Sequence, residues 1–165
     1  MKVIYSADKK IIRGRLAVWL LIFAGAGCVY FGFDFLQTYG ARPADGDVLA
    51  PFAVRLGGAV AFWIAGVVCA LGGIIYGRIF IAKMEIDEGR ENLLIHTLNP
   101  VGWRSQTVAL SDVSVGNFYE GKMVTGIKPS VDAPWYTVRI KSRWLPLILD
   151  AQGHTSEVNP TTWNY

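Results

Sequence analysis

Two runs without a charged residue constrain this chain more than any other feature: Leu16–Phe33, 18 residues, and Leu56–Gly77, 22 residues. As helices at about 1.5 Å per residue they would span roughly 27 and 33 Å, matching a hydrocarbon core of about 30 Å. We therefore expect membrane-spanning helices at about residues 16–37 and 53–78. A chain of 165 residues then has room for one further compact domain. Much of the hydrophobic fraction of 52% and of the mean hydropathy of +0.32 lies in these runs.

The first run follows a basic stretch, as the apolar segment of a signal peptide would. No small-x-small site followed by a polar start comes after it. Phe31, Phe33, Phe35 and Tyr39 come instead, an aromatic belt suited to a bilayer interface. A retained span is expected.

Charge then orients the pair. Residues 1–15 carry Lys2, Lys9, Lys10, Arg13 and Arg15 against Asp8. The connection has Arg42 and Arg55 against Asp34, Asp45 and Asp47, and Arg78, Lys83 and Arg90 follow the second run. The positive-inside rule puts both termini in the cytoplasm (or an organelle matrix) and the connection outside. From Arg78 onward nine basic residues balance nine acidic ones, so the net charge of +3 leaves no nucleic-acid footprint. No nucleic-acid partner is expected, and the basic arm suits anionic lipid headgroups.

Four parts follow: a basic cytoplasmic arm (1–15), a transmembrane helical hairpin (16–78), a β-domain (79–150) and a polar tail (151–165). RIFIAKMEID alternates, with Phe80, Ala82, Met84 and Ile86 on one face and Lys83, Glu85 and Asp87 on the other. LLIHTL, QTVAL, VSVGNFY and WYTVRI read as further strands between turns such as EGREN and NPVGWRS. WLPLILD contains Pro146, which suits an edge strand or a bulge. The fold class expected is thus membrane α plus soluble all-β, a two-helix hairpin followed by a small antiparallel sandwich or barrel.

Few groups offer chemistry. His96 and His154 lie outside the runs, so an intramembrane axial ligand for a haem is missing. Cys28 and Cys69 lie inside them, with no CxxC and no Cys/His cluster. Glu85, Asp87, Glu88 and Glu91 do not match a calcium-binding loop. No nucleophile elbow, phosphate loop or dinucleotide fingerprint is present. We expect no catalytic residues, no cofactor and no metal. Asp34, at the outer end of the first span, is read as interfacial and as the partner of Arg55 in an ion pair across the hairpin mouth. Trp163 and Tyr165 end the polar tail and are read as docking residues.

The second run has a further pattern. Gly57, Ala61, Ala65, Cys69, Gly73 and Gly77 recur every four residues, with Gly58, Gly66 and Ala70 in a second row. Ala24, Cys28 and Gly32 repeat the pattern in the first run. Lipid gives no hydrophobic gain from joining helices, so association relies on the close packing that small residues permit. The rows can pack within the hairpin or against a partner helix.

Two spans followed closely by KMEIDEGRENLLIHTLNPVGWRSQTVALSDV, and later by WYTVRIKSRWLPLILDAQGH, resemble the two-span inner-membrane proteins of mitochondria that help assemble cytochrome c oxidase and ATP synthase. The shared rhythm is strand, Gly turn, strand, Pro-x-Gly, strand, Ser-Asp-Val, then a late Leu-Asp-x-x-Gly, over roughly residues 55–154. It implies a non-catalytic accessory or assembly subunit of a bioenergetic complex, with other subunits and the lipid bilayer as partners. Respiratory oxidase, ATP synthase and a photosynthetic reaction centre–light-harvesting complex are the hosts considered. Lacking an Arg/Ser-rich presequence, the chain is expected in a bacterial inner membrane, with the mitochondrial inner membrane as the alternative. A stand-alone, membrane-tethered β-domain that binds lipid or a regulatory protein is the other functional class. Bacterial pleckstrin-like membrane domains are a second resemblance, but they close their barrel with a C-terminal helix that has no counterpart here.

Overall fold

Each charge-free run becomes the middle of a long helix: α1, Lys9–Thr38, and α2, Phe52–Ile79. The computed structural model describes residues 1–41, 48–123 and 131–155. Both helices are long and apolar enough to cross a membrane, and only 17% of each apolar window is buried within the protein. Side chains such as Leu20, Phe23, Ile64 and Val68 are exposed, as lipid-facing residues would be. α1 stops where Gly40 takes φ +92°, and a Cβ there would meet the backbone of residues 48–50. Pro51 opens α2, its carbonyl accepting from the Val54 and Arg55 amides; a proline has no N–H to leave unpaired at a helix start.

The chain divides into two units, Leu16–Ile75 and a β-unit made of Met1–Arg15 with the residues from Tyr76 onward. The first fifteen residues are therefore more than a basic arm. Lys2–Ser6 forms strand β1, which pairs with β2 (Ile81–Ile86) on one side and β10 (His154–Thr155) on the other. KVIYS is short and lies among basic residues, so its strand character was masked by charge. Ser6 and Asp8 end it: the Ser6 hydroxyl donates to the Asp8 carboxylate at 2.6 Å, and Asp8 sits at φ +42°.

The remaining strands are β3 (Asn92–Leu98), β4 (Trp103–Ala109), β5 (Val113–Tyr119), β6 (Lys122–Met123), β7 (Val131–Asp132), β8 (Trp135–Ile140) and β9 (Leu147–Asp150). One sheet has the order β10-β1-β2-β3-β4, a second β5-β8-β9, and β6 pairs with β7. All these pairings are antiparallel, and a parallel bridge from Phe80 to Ile148 ties the two larger sheets. The described strands do not close into a barrel. Pro146 precedes β9, an edge strand, where its missing N–H breaks no ladder.

The alternation read in β2 is kept from Ala82 to Glu85, but Ile86 is only half-buried, and Ile81 is buried as well, because a bulge between Ile81 and Lys83 resets the register. The core is built from Tyr5, Ile81, Met84, Leu93, Ile95, Val138, Leu147 and Leu149, all at most 1% exposed. Each such side chain contributes about 1.5–3 kcal/mol of burial. The Pro-x-Gly turn needs its glycine for the backbone alone: Gly102 has φ +77° and open space around it.

Candidate functional site

The helical unit is organised around missing side chains. α1 and α2 run antiparallel and meet at Val18 with Gly73, Gly25 with Gly66, and Gly32 with Ala59. A Cβ placed on Gly25 would lie 2.7 Å from the Gly66 carbonyl oxygen, and one on Gly66 the same distance from the Gly25 carbonyl. A Cβ on Gly73 would be 3.3 Å from the Val18 carbonyl oxygen, and one on Gly32 would be 3.1 Å from that of Ala59. Every step of seven along α1 is matched by a step of seven back along α2. This is the seam of an antiparallel helix pair, drawn tight by glycine.

The seam divides the residues singled out by spacing. Gly73 and Gly77 are buried and Cys69 is half-buried, whereas Gly57, Ala61 and Ala65 are exposed. In α1, Gly32 is buried, Cys28 half-buried and Ala24 exposed. The row is thus not one stripe facing one way. Four residues turn a helix by about 400°, so an i+4 row drifts about 40° per step and reaches the far side between Gly57 and Gly73. The second row fares better, since the Ala70 Cβ lies 3.2 Å from a Cβ built on Gly25. Val18, Gly25, Ala59 and Gly66 were missed as a set; their signal is a spacing of seven, not four.

At the hairpin mouth, Arg55 ties the helices together through backbone carbonyls. Its Nη1 donates to the Leu36 carbonyl at 2.8 Å and its Nε to the Ala50 carbonyl at 3.0 Å. Leu36 belongs to the last turn of α1, where carbonyls lack intrahelical donors and the helix end is negative. Trp163 and Tyr165 lie outside the described residues.

The β-unit gathers its polar groups into clasps. Asp150, 8% exposed, accepts from Lys10 Nζ at 2.6 and 2.8 Å and from the Gln152 amide at 2.8 Å. Its carbonyl takes the Tyr5 hydroxyl at 3.2 Å. Burial, then the nearby Asp150 charge, pushes the Tyr5 phenol above its ordinary range. A Cβ on Gly153 would strike the Tyr5 ring. The Leu-Asp-x-x-Gly segment is thus a structural latch. In the Ser-Asp-Val segment, Asp112 pairs with Lys141 at 3.0 Å.

His96 joins a row across β2, β3 and β4. Its Nδ1 lies 2.8 Å from Ser105 Oγ and its Nε2 3.8 Å from Glu85 Oε1, while Lys83 Nζ lies 2.6 Å from the same Glu85 oxygen. The Lys83 hydrogen bond holds the Glu85 carboxyl below the usual range. Serine, histidine and carboxylate stand in line, but 3.8 Å is too long for the hydrogen bond that would orient the ring. A cavity of about 460 Å³ lies elsewhere, lined by Ser114, Arg139, Ile140, Lys141, Arg143, Trp144 and Pro146. His154 is exposed on β10. Among the described residues, no three His, Cys, Asp or Glu side chains gather as metal ligands.

Compared with known proteins, the sequence matches no family model and no curated sequence. The molecule is defined by its own geometry: two helices able to cross a membrane and an antiparallel β-unit.

Proposed function

We propose that this chain is a non-catalytic accessory or assembly subunit of a larger bioenergetic membrane complex. It sits in a bacterial inner membrane with both termini cytoplasmic, its helices packing on host helices. The observation that carries the reading is the outward face of α2. The hairpin uses Ala59, Gly66 and Gly73, which leaves Gly57, Ala61 and Ala65 exposed among lipid-facing residues. Nothing lies within 4 Å of a Cβ built on Gly57. A span that only anchored the chain would gain by filling this face with larger side chains, whereas small ones admit a further helix. An oxidase or ATP synthase as host rests on the motif resemblance alone, and a photosynthetic complex is the equal alternative in a phototrophic bacterium.

Gentle detergent extraction followed by native sizing and mass spectrometry of co-purifying proteins tests the reading. Migration with subunits of one complex is expected. Migration only as an 18.2 kDa chain would count against it.

A further inference from the structure

The outer surface of the β5–β8 pair turns strand alternation into charge. Val138 and Ile140 are buried in the core, so Arg139 points the other way, directly across the ladder from Ser114. Lys141 continues the same row. Its amide donates to the Asp112 carbonyl at 3.0 Å, which carries the pairing one residue past the end of β8.

The connection from β8 to β9 bounds this surface on one side. The Arg143 amide donates to the Ile140 carbonyl at 2.9 Å and its Nη2 to the Arg78 carbonyl at 3.2 Å, so a tight turn sets the guanidinium in place. Pro146, its φ fixed by the ring, leads into β9. Between strands and connection lies the cavity of about 460 Å³. Small-molecule sites run from about 300 to 1,000 Å³.

The cavity wall is of two kinds. Arg139, Lys141 and Arg143 bring three positive charges to it and Ser114 a hydroxyl, with no carboxylate in the lining. Lys141 shares its charge with Asp112 at 3.0 Å, whereas Arg139 is exposed and has no acidic partner among the described residues. On the connection, Trp144 is 94% exposed, more than any other large apolar side chain among the described residues. An indole so placed offers a flat apolar surface beside a site for negative charge. Arginine forks fit phosphate oxygens in two-point contacts, and planar rings stack on an indole.

We infer that this cavity binds a soluble phosphate monoester carrying a planar ring, its phosphate on Arg139, Lys141 and Arg143 and its ring against Trp144. Every lining residue belongs to the β-unit, so the inference depends neither on a host complex nor on the placement of the helices.

The test uses the full chain in neutral detergent. Phenyl phosphate and inorganic phosphate are titrated separately, and binding is read from broadening of the phosphorus NMR line. Phenyl phosphate is expected to bind about fivefold tighter, and Trp144→Ala should remove that advantage while leaving inorganic phosphate unchanged. Arg139→Gln, at an exposed side chain, should weaken both about fivefold. Arg90→Gln, in the turn between β2 and β3, should change nothing. Absence of binding, equal binding of the two phosphates, or unaltered affinity in Arg139→Gln would overturn the inference. Phosphatidylglycerol that displaced phenyl phosphate at a lower concentration than inorganic phosphate needs would assign the site to a lipid headgroup and likewise overturn it.

Discussion

The helical unit and the β-unit are held together in opposite ways. The helices approach because side chains are absent: at Gly25 and Gly66 backbone lies against backbone. The β-unit holds because side chains are present, in an apolar core locked by the Tyr5–Lys10–Asp150 latch. Lipid makes the difference intelligible. Where the surroundings are already apolar, burying leucine gains nothing and only close packing remains; where they are water, burial and paired charge do the work. The two units should therefore fail under different perturbations.

Adding bulk should break the first and spare the second. Gly66→Leu pushes a side chain into the Gly25 carbonyl and should destabilise the helix pair by about 3 kcal/mol, near the upper end for overpacking. Unfolding in mixed detergent measures it, with amide exchange at Leu93 and Leu149 unchanged. Equal loss of protection in both regions would erase the contrast.

Removing a charge should do the reverse. Asp150→Asn weakens the bonds from Lys10 and should cost the β-unit about 2 kcal/mol, the scale of a charge-assisted hydrogen bond. Exchange at the core amides of β9 should rise while that of α1 and α2 stays constant.

The smallest effect comes from pH, and it too should touch one unit only. Glu85 is held low in the folded state, so its contribution is present above its unfolded pKa of about 4.3 and lost as pH falls through the lower folded value. Tyr5 is held high, so its contribution is intact below about pH 10 and lost as pH rises beyond it. Denaturation of the β-unit followed across both ranges should show both losses, the acid one absent in Glu85→Gln and the alkaline one in Tyr5→Phe. A helical unit that responded equally would mean the two regions share their electrostatics.

How far the sequence reveals this depends on the kind of signal. The helices were legible because a run such as Leu56–Gly77 has few alternatives to a span, β2 and β8 showed themselves by alternation, and β3 by the turns on either side of it. β1 did not, since five residues among lysines carry too little pattern, and its pairing partners lie some 80 and 150 residues away. The hairpin face was half legible. Small residues marked α2 as a packing helix, but spacing of four follows a row that winds around it, and only spacing of seven follows the seam. Arg55 bonds to the carbonyls of Ala50 and Leu36, acceptors that no residue identity advertises.

Neighbouring residues on α2 allow the most direct test, because Ala65 faces outward and Gly66 faces α1. Ala65→Leu, extracted gently and sized beside the wild-type chain, should keep an intact helix pair and full membrane insertion yet lose most of the co-purifying complex. Undiminished co-purification would contradict the claim that the outward face of α2 receives a partner helix.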